Sequence, residues 1–134
     1  MAALKKILVV DDEMDMRIFV STVLETGGYQ PVTCRNGKEG FRRALAEPPD
    51  LIILDVMMPD AGGVQMYRDL KTDPKTAGIP VIMLSAVGET GFAHYLNMLN
   101  VHLPDHIPPP AAYLEKPADP AELLAAVRRS LSNG

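Results

Sequence analysis

The chain has one cysteine in 134 residues, Cys34, so no disulfide can form within it. Cys34 reads as a small buried or half-buried residue rather than a redox centre. No apolar run approaches the roughly 18 residues that a membrane-crossing helix needs, and no signal-peptide pattern precedes Leu4. These absences lead to the expectation of a soluble, cytoplasmic domain with no membrane partner. Positive charge is also scarce: 13 Lys and Arg stand against 17 Asp and Glu, a formal net charge of −4. That argues against direct binding to nucleic acid, whose phosphates need a basic face. Internal repeats, low-complexity tracts and an interdomain linker are all missing. What remains is about one domain's worth of ordinary globular sequence, 47% hydrophobic and 22% charged.

Along the chain, short apolar runs alternate with helical stripes. Strands are expected at residues 5–10, 29–34, 50–55, 79–86 and 111–116. Pro31 in the second, weaker run suggests a sheet edge, because proline cannot donate to a central ladder. The all-apolar "DLIILD" at 50–55 implies cover on both faces. Between these runs, Met16, Phe19, Val20, Val23 and Leu24 stripe a helix stopped by Gly27 and Gly28. Asn36 followed by Glu39 marks the start of a second helix, and Pro48-Pro49 marks its end. A short helix is expected at about 63–71 and a fourth at about 89–100. Asp119, Pro120 and Glu122 open the last helix. Five β-α units in series need crossovers between parallel strands, and right-handed crossovers put helices on both faces. The fold class is therefore a doubly wound α/β domain.

The sequence "ILVVDDE" at 7–13 runs a buried strand straight into three acids. In doubly wound folds the ligand site lies at the carboxyl ends of the strands. Asp11 and Asp12 end the first strand, Asp55 the third, Ser85 the fourth and Lys116 the fifth. One acid at a strand end is usually a turn residue or helix cap. Four polar strand ends out of five are hard to explain that way. Neighbouring strands lie about 4.8 Å apart, so carboxylates on the first and third can share a cation. The fifth strand lies roughly 10 Å from the third, most of which a lysine stem can cross. Clustered carboxylates suit a hard divalent cation, Mg2+ or Mn2+, that also accepts a phosphoryl oxygen. An aspartate can itself act as a nucleophile toward phosphorus. Lys116 would then supply a second cation and Ser85 a hydroxyl donor.

With those residues in view, the chain resembles the receiver domain of two-component response regulators over its whole length. The matching motifs are "VVDDE" at 9–13, "LDVMMP" at 54–59 with Gly63 after it, "MLSA" at 83–86 and "EKP" at 115–117. The resemblance implies a single receiver domain spanning 1–134, with an ordered core at about 5–132. It implies a flavodoxin-like five-stranded sheet in the order 2-1-3-4-5. Asp55 becomes the phosphoacceptor, served by a sensor histidine kinase or phosphotransfer protein. Asp11, Asp12 and Asp55, with the backbone carbonyl of Met57, become the magnesium ligands. Ser85 and Tyr113 become the switch pair, Lys116 the phosphate-contacting lysine, and the bond before Pro117 a cis peptide. The face made by the fourth helix, fifth strand and fifth helix would meet an output domain, a partner or a second copy. Side chains flanking the approach of a hydrolytic water would be Met57 and Val87, both apolar.

Two other readings compete with a phosphorylated signalling domain. An aspartate-nucleophile phosphatase would want a second acid two residues after Asp55, where Met57 stands. A phosphorylation-independent interaction module would not need the acids and lysine that this chain keeps. Gly62 departs from the family's usual acid before the glycine. The stretch 101–110, "VHLPDHIPPP", is an unusually long and proline-rich connection. It is expected to be extended and to reshape the partner face. His94, His102 and His106 read as solvated side chains, since Pro104 would break any helix presenting the latter two. Arg128-Arg129 reads as a solvated helix face.

Overall fold

Apolar runs that are buried on both sides can only be central strands. In the computed structural model, which describes residues 4–56, 62–86 and 107–132, they are. β1 (Lys6–Val10), β2 (Gln30–Cys34), β3 (Leu51–Leu54), β4 (Val81–Ser85) and β5 (Ala112–Glu115) form one sheet. Its order is β2-β1-β3-β4-β5 and every pairing is parallel. Four helices are described: α1 (Met14–Thr26), α2 (Gly37–Ala46), α3 (Gly62–Thr72) and α4 (Pro120–Ser132). The helix expected at 89–100 lies outside the described residues, as do Met57, Val87, His94, His102 and His106.

Alternate strand residues point to opposite faces, which divides the core in two. Leu8, Val10, Ile52, Leu54 and Met83 pack with Ala44 of α2 and Met66, Tyr67 and Leu70 of α3. Ile7, Val9, Leu51, Ile53 and Leu84 pack with Val20, Val23 and Leu24 of α1 and Leu123, Ala126 and Val127 of α4. Phe19, expected in the stripe of α1, stands instead at its rim, 36% exposed. A helical stripe wider than its contact with the sheet leaves its outermost member in solvent.

Local chemistry ends the elements where expected. Gly28 takes a left-handed φ of 85° after α1, a conformation costly for residues with a Cβ. Asn36 Oδ1 accepts the Glu39 N–H at 2.8 Å to start α2. Asp119 Oδ2 accepts the Glu122 N–H at 3.1 Å at the start of α4. Pro31 lies on β2, the sheet edge, paired with Ile7 on its inner side. Arg128 and Arg129 are exposed.

The connection into β5 is anchored at its described end. Ile107 is buried in the core, and the Tyr67 hydroxyl donates to the Pro108 carbonyl at 2.6 Å. Residues 107–110 have no regular secondary structure, as three consecutive prolines dictate.

Candidate functional site

The register decides which strand ends meet. Val10 of β1 stands opposite Leu54 of β3, so Asp11 and Asp55 leave the sheet side by side. Main-chain hydrogen bonds continue one residue past the strands: Asp11 N–H donates to the Cys34 carbonyl at 3.1 Å, and Asp55 N–H to the Val10 carbonyl at 2.9 Å. Both side chains are buried, each residue 3% exposed. Isolated buried carboxylates are costly, so a cation is needed beside them.

That cation is Lys116. Its Nζ lies 2.9 Å from Asp11 Oδ2, 3.0 Å from Glu13 Oε1 and 3.5 Å from Asp55 Oδ2. The side chain thus crosses from the end of β5, past β4, to the ends of β1 and β3. Burial is the largest influence on its ammonium and lowers its pKa. Hydrogen bonds to Asp11 and Glu13 and the charges of Asp11 and Asp55 together outweigh it, and the group sits above the ordinary lysine value. The peptide bond from Lys116 to Pro117 is cis.

One ammonium does not balance the acids around it. Asp11, Asp12, Glu13 and Asp55 each offer a carboxylate oxygen, all within 4.8 Å of one another. An all-oxygen, multiply anionic donor set of this kind fits a hard divalent cation such as Mg2+ or Mn2+. The surrounding turn is well tied. Glu13 N–H donates to Asp11 Oδ1 at 3.0 Å, and Arg17 Nη1 donates to the Asp11 carbonyl at 2.8 Å.

Beneath Asp55 the chain passes so closely that only glycine fits. A Cβ on Gly63 would lie 2.0 Å from the Asp55 carbonyl oxygen and 2.5 Å from that of Val56. Gly37 is crowded in the same way, its Cβ position being 2.3 Å from the Gly62 carbonyl oxygen. The missing side chain of Gly37 thus lets the start of α2 lie close against the start of α3.

Of the residues singled out from sequence, Asp11, Asp12, Asp55 and Lys116 come together. Ser85 ends β4 with its main chain opposite Glu115, and its side chain lies outside the described atoms, as does the whole of Met57. Tyr113 stands opposite Met83, half-buried against the core cluster that includes Tyr67 and Ile107. Glu13 was not assigned a role from sequence. Its signal was present in the third acid of "DDE", but nothing local tells which partner that carboxylate reaches.

Comparison with known proteins bears on the same residues. The family model for the response regulator receiver domain matches residues 7–128. The phosphate regulon transcriptional regulatory protein PhoB of Pseudomonas aeruginosa is 36% identical over 95% of this chain and 52% of its own length. The chain spans about half the length of the curated relatives it matches. The signal receiver domain of a signal transduction histidine kinase from Syntrophus aciditrophicus superposes with a TM-score of 0.81 at 32% identity, covering 96% of this chain and 91% of that one. The chemotaxis protein CheY4 of Vibrio cholerae superposes with a TM-score of 0.80 at 26% identity, covering 96% and 99%. The strand order, the acids closing β1 and β3 and the match over 7–128 lead to one conclusion: the chain belongs to the response regulator receiver domain family of two-component signalling.

Proposed function

We propose that this domain accepts a phosphoryl group on Asp55 from the phosphohistidine of a sensor kinase or phosphotransfer protein, and alters its surface in response. The observation that carries the reading is the cluster of Asp11, Asp12 and Asp55 carboxylates, with Lys116 from the end of β5 reaching Asp11 and Asp55. An Asp55 carboxylate oxygen attacks phosphorus in line with the P–N bond. That bond breaks, its electron pair leaves with the imidazole nitrogen, and an acyl phosphate forms. Such a transfer asks the protein mainly for placement and for positive charge around the phosphoryl oxygens. Asp11, Asp12, Asp55 and the Met57 carbonyl would hold Mg2+ or Mn2+, which when bound supplies much of that charge. Lys116 moves from its resting carboxylates to one phosphoryl oxygen, and the Ser85 hydroxyl donates to another.

The response follows from those two movements. Ser85 and Tyr113 shift together and bias a two-state surface. The surface of residues 89–100, β5 and α4 is assigned to an output domain, a separate partner or a homodimer contact, and residues 101–110 reshape it. A donor protein has a landing place beside the acids: Met14 and Ile18 on α1 are 63% and 57% exposed. An exposed apolar pair one turn apart, on the helix that follows the acids of the β1 end, supports docking of an apolar helix face there.

The test uses a small donor. Acetyl phosphate with Mg2+ is expected to add one phosphoryl group, read by intact mass, and to add none without divalent ion. Asp55→Asn is expected to stay unlabelled. A parent protein that takes no phosphate, or an Asp55→Asn variant labelled as well as the parent, rules out the reading.

A further inference from the structure

Glu13 is the residue that starts α1, with extended φ and ψ of −90° and 118°, yet its side chain makes no capping hydrogen bond. Serine, threonine, aspartate or asparagine would ordinarily be used there, because their short side chains reach the free N–H groups of the first turn. Here the longer side chain turns away from its own helix. It ends 3.0 Å from Lys116 Nζ, 103 residues further along the chain. The Glu13 main chain is meanwhile pinned to Asp11 through the 3.0 Å N–H to Oδ1 bond. Backbone position and carboxylate reach are thus both set relative to the acid site.

The three contacts of Lys116 are not equivalent. Asp11 and Glu13 hold it at 2.9 and 3.0 Å, while Asp55 stands back at 3.5 Å. Asp11 is buried, whereas the Glu13 side chain is 61% exposed. An exposed carboxylate is the partner most easily given up, because water replaces the lost contact. We propose that Glu13 is a positioning residue that docks the Lys116 ammonium on Asp11, short of Asp55, and yields it when a phosphoryl group arrives. The inference rests on the phosphoacceptor reading of Asp55.

Two consequences follow. A phosphoryl oxygen must compete with Glu13 for the lysine, so the resting contact weakens binding of a phosphoryl mimic. An ion pair with one exposed partner is worth about 0.2–1 kcal/mol, up to about a fivefold change in affinity. The contact also depends on length: aspartate at position 13 keeps the charge but loses a methylene of reach.

Binding of beryllofluoride at saturating Mg2+ tests this, with Mg2+ affinity measured separately for each variant. The chain has no tryptophan, so calorimetry or amide NMR shifts serve as readout. Glu13→Gln is expected to bind beryllofluoride about two- to fivefold more tightly than the parent. Glu13→Asp is expected to behave like Glu13→Gln. In a Lys116→Ala background, Glu13→Gln is expected to change nothing, because the contact it removes is already gone. A gain that persists without Lys116, an Asp variant that matches the parent, or no gain at all overturns the inference. A parent that binds no beryllofluoride overturns the phosphoacceptor reading and this inference with it. A parent that binds normally beside an indistinguishable Glu13→Gln overturns this inference alone.

Discussion

Replacing Tyr67 by phenylalanine removes one oxygen atom and leaves the buried ring in place. That oxygen donates to the Pro108 carbonyl at 2.6 Å, and so ties α3 to the proline-rich entry of β5. A neutral hydrogen bond of this kind contributes about 0.5–1.5 kcal/mol net. Pro108 is exposed, so its carbonyl can be rehydrated, and about 1 kcal/mol is the expected loss near neutral pH. Burial pushes the Tyr67 phenol well above the usual tyrosine range. The folded state therefore keeps its proton after the unfolded state has begun to lose it. Stability from this group is complete below the unfolded pKa of about 10 and is lost as pH climbs beyond it, at about 1.4 kcal/mol per pH unit. The difference between parent and Tyr67→Phe should accordingly shrink above pH 10 and vanish near a pH of about 11. Urea unfolding of both proteins at a series of pH values measures it, with other titrating groups common to the pair. Equal stability near neutral pH, or a gap that stays constant into the alkaline range, would refute the argument.

Two further outcomes are expected. Gly63→Ala pushes a methyl group against the Asp55 and Val56 carbonyls, atoms that cannot rotate away. A cost of about 2 kcal/mol or more in urea unfolding is expected, together with impaired phosphate uptake; a variant as stable and as readily labelled as the parent would contradict the crowding. Apolar side chains cannot hydrogen-bond a water, so on the proposal that Met57 and Val87 flank the approach of the hydrolytic water, phosphorylated Asp55 should decay slowly and Met57→Asn should speed the decay. An unchanged decay rate, followed by intact mass, would rule out that account.

Much of this was legible in sequence because it depends on local pattern. Fully apolar runs identified β1 and β3, Pro31 marked the edge, and Asn36 and Asp119 marked helix starts through bonds three residues long. Apart from Val10 and Cys34, which end β1 and β2 as expected, strand ends came out one or two residues shorter than expected. Asp55 and Lys116, for example, were counted as strand but lie one residue beyond it. The acid cluster was legible because strand ends converge by topology alone. Glu13 and Tyr67 were not, since each finds its partner through side-chain reach across the fold, 103 and 41 residues away. Phe19 was misplaced for a related reason: periodicity gives a helix its apolar side but not the width of the surface that will cover it.

The main-chain bonds that carry Asp11 and Asp55 past their strands have an implication for how such a domain can change over time. Asp11 and Asp55 are placed by peptide groups, which every residue possesses, and by the buried strands they end. Exposed positions on α1 such as Met14 and Ile18 take no part in holding them. With donor docking on α1 as proposed, recognition can be rewritten residue by residue on the outside while the acid cluster stays where it is. A duplicated copy could drift to a new kinase without passing through an inactive form, and an engineer could recode its specificity by the same route.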